Sequence, residues 1–211
     1  MAVVPSDPLK PRKTPRQARS TATVAAIFEA TFQVLLSDGL VKLTTTRVAE
    51  RAGVSVGTMY QYFPHKEALL YAVLEQYLYE VVIATEKACM QLEGAPLSDM
   101  ADGLVHAYLE AKLRHMPGSR VLYTVAAELD TDDLIDDIVR RADQAIERLL
   151  ASAADAHFDD LPTVTFAVRT ILVGTVREVL EKEAPVSSLA MLRAQLPIMC
   201  RAYLMAVSRR A

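Results

Sequence analysis

Apolar residues recur every three or four positions along most of the chain, which is the spacing of one face of an α-helix. Val24, Ile27, Phe28, Thr31 and Leu35 follow this spacing in the first such segment, which ends at Asp38-Gly39. Interrupted by Pro, Gly, Asp and Ser, the pattern predicts helices over about 16–37, 44–52, 56–63, 66–92, 97–115, 119–129, 132–156, 162–183 and 187–208. No segment alternates with a period of two over a useful length, so we expect an all-α protein.

The predicted helices divide the chain into two parts. Small helices precede residue 65 and long ones follow it, which indicates a head over residues 16–65 and a body over 66–211. The helix that begins at Lys66 joins the two. Residues 1–15 contain four prolines together with Lys10, Arg12 and Lys13, and this composition predicts a flexible basic arm.

The segment AGVSVGT, residues 52–58, has two interpretations. Gly53 to Gly57 fits G-x-S-x-G, the turn that exposes a hydrolase's nucleophilic serine between a strand and a helix. The preceding residues are helical in pattern, and no glycine-rich segment offers a second oxyanion donor. The second interpretation is the turn of a helix-turn-helix, in which Gly53 ends one helix and Ser55 caps the next. It explains the small residue Ala49 and an apolar seam formed by Val48, Ala52, Val54, Met59 and Phe63.

Composition and charge agree with this second interpretation. The chain has 211 residues, 52% of them hydrophobic, and its most apolar stretch, TFAVRTILVGTV, contains Arg169 and is too short for a bilayer. Residues 1–67 carry nine Lys or Arg against five Asp or Glu, a net charge of +4, whereas the remainder carries −7. A basic end on an acidic body suggests a polyanionic partner, although chance scatter would produce the same asymmetry. Cys89 and Cys200 are expected to be free buried thiols in a reducing cytoplasm.

Residues 44–70, TTTRVAERAGVSVGTMYQYFPHKEALL, closely resemble the DNA-binding signature of TetR-family transcriptional regulators. The matching positions are Thr44, Val48, Ala49, Ala52, Gly53, Val54, Ser55, Gly57, Thr58, Tyr60, Tyr62, Phe63, Lys66, Glu67 and Leu69. Val48 replaces the isoleucine of the signature, which is a mild apolar change. The resemblance covers about residues 16–70, and the rest of the chain shares only helical character and helix count with the family.

The resemblance implies a head that binds double-stranded operator DNA. Phosphate contacts are implied for Thr44, Thr45 and Thr46 at the start of the second helix, and for Tyr60 and Lys66. Ser55 is implied to cap the recognition helix.

Contacts to base edges or to the DNA backbone in the major groove are implied for Val56, Gly57, Thr58, Gln61 and Tyr62. Packing inside the head is the alternative for Tyr60 and Tyr62. Arg12, Lys13, Arg16 and Arg19 either follow the DNA or form a solvated tail.

The resemblance also implies that the body binds a ligand and dimerises. An effector cavity for a small, largely apolar molecule is expected among the middle helices, where the candidates are Met90, Met100, His106, Tyr108, Met116 and Tyr123. Ordinary core packing is the alternative for each. The last two helices carry more apolar surface than one helix pair needs, so we predict a homodimer interface at Val164, Val168, Ile171, Leu172, Thr175, Val179, Leu192, Leu196, Met199 and Tyr203. The alternative there is an intramolecular core.

The sequence therefore predicts a cytoplasmic, homodimeric DNA-binding regulator without a membrane segment. We expect a repressor that a small molecule releases from an inverted-repeat operator. No cofactor, metal or catalytic residue is predicted, since His106 and Glu110 are too few for a metal site and no catalytic triad is evident. The alternative is a helical ligand-binding or enzymatic protein that does not bind an operator.

Overall fold

The computed structural model describes residues 18–114, 116–181 and 186–210, with side chains from 20–114, 121–180 and 187–210. The described residues form nine helices: α1 (Ala18–Asp38), α2 (Thr45–Ala52), α3 (Val56–Tyr62), α4 (Lys66–Leu92), α5 (Leu97–Leu113), α6 (Met116–Glu128), α7 (Asp132–Ala151), α8 (Leu161–Glu181) and α9 (Val186–Val207). Two short strands, β1 (Ala156–His157) and β2 (Arg209–Arg210), pair in antiparallel fashion. The predicted all-α class is confirmed. The basic arm, with Arg12, Lys13 and Arg16, and the side chain of Arg19 lie outside the described residues.

The chain divides into two compact units, the first of which contains residues up to Tyr77 together with 117–131. Within it, α2 packs against both α1 and α3. Three residues of the predicted seam, Val48, Met59 and Phe63, are buried, whereas Ala52 and Val54 are half-buried. The ring of Phe63 lies 5.7 Å from that of Phe28 on α1. These contacts hold the three helices together and leave the outer face of α3 free.

The second unit contains residues 78–116 and 132–211, so α4 begins in the first unit and continues in the second. Within this unit α9 packs against α5 and α8, and α7 packs against α8. Its core is formed by aliphatic and methionine side chains, among them Met100, Leu104, Val105, Ile146, Leu149, Val168, Val176, Leu196 and Leu204. Partly buried ion pairs join Arg141 to Glu86 at 2.6 Å and Arg169 to Asp143 at 2.6 Å.

Helix α7 ends at Ala151, five residues earlier than the sequence pattern predicts, because tertiary hydrogen bonds hold the segment that follows. Ser152 Oγ accepts from the backbone N–H of Gly94 at 3.1 Å. The Asp155 carboxylate accepts from Leu97 N–H at 2.8 Å, which caps α5 in place of the absent side-chain cap at Pro96. Beyond this, β1 pairs with β2. The predicted extension of α7 to residue 156 is therefore wrong.

Two further sequence-based expectations concern the cysteines and the membrane. Cys89 and Cys200 are free and buried, as predicted, and burial raises the pKa of their thiols to about 12 and about 11. By length and apolar composition, Ser20–Asp38 and α4 would be able to cross a bilayer. Of the α4 stretch, 61% is buried inside the protein, and core helices of soluble proteins meet the same criterion, so this finding assigns no membrane segment.

Candidate nucleic-acid interface

Threonines at the start of α2 take two different roles. Thr44 is exposed and caps the helix, since its hydroxyl accepts from Arg47 N–H at 3.2 Å. Thr46, in the first turn, is also exposed. Thr45 is only 8% exposed, and its hydroxyl donates to the Tyr60 hydroxyl at 3.3 Å. Thr44 and Thr46 therefore face solvent, while the buried Thr45 joins α2 to α3 through its hydrogen bond to Tyr60.

The turn between α2 and α3 has the geometry expected of a helix-turn-helix. Gly53 closes α2 in the left-handed conformation, with φ of 68°, which favours glycine. Ser55 begins α3, because its Oγ accepts from Thr58 N–H at 2.9 Å and lies 2.8 Å from the Thr58 hydroxyl. The predicted cap at Ser55 is confirmed. A helix, not a strand, precedes this serine, so the segment is not the nucleophile turn of a hydrolase.

The outer face of α3 presents polar and small side chains to solvent. Val56, Gly57, Tyr60 and Gln61 are exposed, and 44% of the Tyr60 surface is accessible. Thr58 is half-exposed. This short face, with hydroxyl and amide groups on a helix held by a buried seam, suits hydrogen bonding in the major groove of DNA.

Tyr62 lies on the inner side of α3, in contrast to its predicted place at the base edges. It is 7% exposed, and its ring centre lies 6.3 Å from that of Phe63. The alternative given above, packing inside the head, describes its position. Helical spacing separates the two tyrosines, because Tyr62 lies three positions from the buried Met59, whereas Tyr60 lies on the opposite side of the helix.

Helix α4 begins beside this surface. Lys66 is its first residue and is half-exposed, as expected of a phosphate-binding lysine at a helix N-terminus. The preceding His65 caps the helix, since its Nδ1 accepts from Ala68 N–H at 3.2 Å. Nδ1 of His65 also lies 3.2 Å from the Glu67 carboxylate.

Two basic residues absent from the sequence prediction lie next to the threonines of α2. Lys42 is exposed and precedes Thr44 by two positions. Arg47 is exposed as well, and its guanidinium pairs with Asp38 at 3.2 Å. Basic residues beside exposed hydroxyls are a signal for phosphate binding that the sequence contained.

The structure separates the six residues predicted to line an effector cavity. Met100 and Tyr108 are buried in the second unit, with 0% and 7% exposure. Met90 is 68% exposed and His106 is also exposed, so both face solvent. Tyr123 is half-buried within the first unit, and the side chain of Met116 lies outside the described residues.

The residues predicted for the dimer interface also divide into two groups. Five of them are buried within the single chain: Val164, Val168, Leu172, Leu192 and Leu196. Ile171, Thr175, Val179 and Tyr203 are half-buried, and Met199 is 44% exposed. The five buried residues belong to the intramolecular core, which is the alternative to a dimer interface at these positions. A different apolar row faces outward, formed by Phe166, Val173, Met191, Ile198 and Met205, and we call it the outer α8–α9 row.

A capped recognition helix with an exposed polar face, packed on two supporting helices, defines a helix-turn-helix DNA-binding protein. Residues 27–73 match the family model of bacterial regulatory proteins of the tetR family, and residues 96–204 match that of the tetracyclin repressor-like C-terminal domain. The chain belongs to the TetR family. It is a DNA-binding transcriptional regulator and not an enzyme.

Solved structures of similar fold include the fatty acid degradation regulator FadR from Bacillus halodurans, with a TM-score of 0.68 and 17% identity over 89% of this chain and 97% of that one. SmeT, the repressor of the Stenotrophomonas maltophilia multidrug efflux pump SmeDEF, has a TM-score of 0.66 and 16% identity over 89% and 93% of the two chains. SmeT is also known in complex with triclosan. No curated protein sequence matches this chain.

Proposed function

We propose that the protein is a homodimeric repressor that binds an inverted-repeat operator and leaves it when a small, largely apolar molecule binds the body. The observation that carries the proposal is the exposed polar face of α3, fixed by the Ser55 cap and by the buried Met59 and Phe63 behind it. Most of this surface lies outside the buried seam, and the Tyr60 hydroxyl accepts a hydrogen bond from Thr45. Membership of the TetR family supports an operator as its partner.

The head divides its contacts between phosphates and bases. The DNA backbone is bound by four side chains: the hydroxyls of Thr44, Thr46 and Tyr60, and the ammonium of Lys66. Phosphates are the same in every DNA sequence, so these contacts do not depend on the bases. Thr45 acts indirectly, since its hydrogen bond holds the Tyr60 hydroxyl.

Base reading falls to Val56, Thr58 and Gln61 on the exposed part of α3. The amide of Gln61 is suited to a bidentate pair with adenine, and the Val56 methyl groups are suited to contact with the thymine methyl. Gly57 lets the helix backbone approach the DNA, because an added Cβ would meet only Ser55 Oγ, at 3.7 Å, within the protein.

Dimerisation uses the outer α8–α9 row, together with the exposed Met199. The side chains of Phe166, Met191 and Met205 are each about 60% accessible in the single chain (59%, 59% and 62%), which is costly for apolar groups in water. Gly174 lies on the exposed surface of α8, and a Cβ built there meets nothing within 4 Å, so a partner helix has room to approach. A two-fold axis through this row would place two heads on the half-sites of an inverted repeat.

The effector is proposed to bind in the second unit near the buried Met100 and Tyr108. A flexible thioether and a phenol suit a mostly apolar ligand that offers one polar group. The complex of SmeT with triclosan shows a protein of the same fold with a small molecule. We place the protein in the cytoplasm, where its DNA target and a reducing environment for Cys89 and Cys200 are both found.

Selection from random double-stranded DNA, followed by footprinting, tests the proposal. The expected result is a protected inverted repeat whose half-sites are spaced by the DNA helical turn. Gln61→Ala should change the preferred bases, and Lys66→Ala should weaken binding to all sequences and reduce the salt slope by about one. Lys87→Ala is the matched control, since Lys87 is an exposed α4 lysine in the second unit.

Two results would contradict the proposal. If Lys66→Ala altered base preference while Gln61→Ala did not, the division of contacts in the head would be wrong. If no DNA sequence were selected and the protein instead bound or turned over a small molecule, the alternative of a helical ligand-binding or enzymatic protein would replace it.

A further inference from the structure

Arg47, in the first turn of α2, is held by the segment that precedes the helix. Its Nη1 donates to the Asp38 carboxylate at 3.2 Å and to the backbone carbonyl of Lys42 at 3.4 Å. Its backbone N–H donates to the Thr44 hydroxyl, which caps α2. One nitrogen of the guanidinium is therefore anchored on the end of α1 and on the turn between α1 and α2.

The opposite edge of this guanidinium is open. The group is planar and carries five N–H donors, and its Nε–Nη2 edge lies on the other side of the plane's centre from Nη1. To the residues that the structure describes, neither Nε nor Nη2 of Arg47 makes a hydrogen bond. The side chain is 49% exposed. Two parallel donors are thus presented to solvent, in the arrangement that binds two oxygens of a phosphate.

Arg51, one turn further along α2, shows the contrasting arrangement. Its Nε donates to Gln33 Oε1 at 2.8 Å, so a partner within the chain occupies the edge that is open in Arg47. Gln33 in turn donates to Glu29 on α1 at 3.0 Å. Both arginines contact α1, but of the two it is Arg47 that keeps its bidentate edge available.

The residues around Arg47 favour an anion at this edge. Thr44 and Thr46 are exposed and carry hydroxyl groups, and Lys42 is exposed two positions before the cap. Asp38 offsets one of the two cations, so the segment keeps a net positive charge. Hydroxyl and cationic side chains are the groups that contact DNA phosphates.

We propose that Arg47 binds a DNA phosphate through its Nε–Nη2 edge, and that Asp38 is the positioning residue that directs this edge towards the DNA. A carboxylate does not bind a phosphate group, since both are anionic, so the contribution of Asp38 is the orientation of Arg47. The inference rests on the contact between the start of α2 and the DNA backbone proposed above. It adds one phosphate contact and gives an acidic residue a part in binding DNA.

Asp38→Ala separates orientation from charge, because the two effects have opposite signs. Loss of a negative charge near DNA by itself strengthens binding. Loss of the anchor for Nη1 weakens binding, and we expect this effect to prevail, with an affinity about threefold lower. Glu50→Ala is the matched control, since Glu50 is an exposed acidic residue of α2. It should leave the affinity unchanged or raise it.

Arg47→Lys separates the bidentate geometry from charge. Lysine keeps the positive charge but lacks the planar pair of donors, so the affinity should fall about tenfold. Arg51→Lys is the control, because the corresponding edge of Arg51 already binds Gln33, and it should change the affinity little. When Asp38→Ala is added to Arg47→Ala, no further weakening is expected, since Asp38 acts through Arg47.

Fluorescence polarisation of a labelled DNA duplex of random sequence, at low salt, measures these affinities, because phosphate contacts serve every sequence. Thermal denaturation of each variant confirms that folded proteins are compared. Unchanged affinity in Arg47→Lys, or unchanged or raised affinity in Asp38→Ala, would overturn the inference and leave the proposed operator binding standing. If the unmodified protein did not bind the duplex, the proposed DNA contacts and this inference would both be wrong.

Discussion

At the scale of single residues, Ser55 has two separable roles, as helix cap and as part of the DNA-facing surface. Ser55→Ala removes the acceptor for Thr58 N–H and should lower the free energy of unfolding by about 1 kcal/mol. Ser55→Asp keeps a capping oxygen and should preserve stability, but its negative charge would repel the phosphates and abolish operator binding. Thermal denaturation and gel-shift titration measure the two effects. A serine-directed phosphonate should label neither the protein nor Ser55→Ala, and labelling at Ser55 would support the hydrolase interpretation.

Gly57 tests whether the backbone of α3 approaches the DNA. Glycine in a helix costs about 1 kcal/mol relative to alanine, and a Cβ at this position would make only an ordinary contact with Ser55 Oγ, at 3.7 Å. Gly57→Ala should therefore raise the free energy of unfolding by up to about 1 kcal/mol and weaken operator binding at least tenfold. The contrasting variant is Gly53→Ala, which should be destabilised because φ is 68° there. If Gly57→Ala bound the operator as tightly as the unmodified protein, no close approach would exist at that position.

At the scale of helices, the accuracy of the sequence prediction depends on whether local or distant contacts fix an element. The bounds of α2 and α3 were predictable, because their signals are local: the caps at Thr44 and Ser55 and the glycine turn at Gly53. The end of α7 was not predictable. It depends on hydrogen bonds from Gly94 and Leu97, more than 50 residues away in sequence.

The apolar face of α8 shows a second limit of sequence patterns. The helix carries an inward stripe that includes Val164, Val168 and Leu172, and outward apolar residues at Phe166 and Val173. A helix that is apolar on both sides gives no indication of which side packs within the chain. The sequence therefore indicated that α8 has surplus apolar surface, and the structure identified which residues form it.

The outer α8–α9 row makes a prediction about dimerisation. Phe166→Asp places a charge where 59% of an aromatic side chain is exposed, so it should convert the dimer to a monomer and weaken operator binding. The fold should survive, because the position is exposed. Ile83→Asp is the control, at an α4 position that is 52% exposed. Analytical ultracentrifugation distinguishes the outcomes, and a monomer in Ile83→Asp, or a dimer in Phe166→Asp, would place the interface elsewhere.

At the scale of the whole molecule, one continuous helix belongs to both units, and charge is divided along the chain. Helix α4 begins at Lys66 in the DNA-binding unit and ends at Leu92 in the second unit. Residues 1–67 carry a net charge of +4 and the remainder −7. We expect the acidic part to repel DNA and the basic part to attract it, which would orient the molecule during encounter. A ligand that changes the position of the second half of α4 therefore acts on the DNA-binding unit through a covalent connection.

Both heads of a dimer must match two half-sites at once, so a shift of a few ångströms in their separation is enough to reduce operator affinity. Linkage then requires reciprocity: an effector that weakens DNA binding must bind less tightly to the DNA-bound protein, with a coupling free energy of roughly 1–3 kcal/mol. We predict that a small, largely apolar molecule identified by thermal shift lowers operator affinity, and that operator DNA lowers the affinity for that molecule by the same factor. Calorimetric titration with and without operator measures both quantities, and a DNA duplex of scrambled sequence is the control. Equal affinities in the two titrations would exclude that compound as an inducer, however tightly it binds.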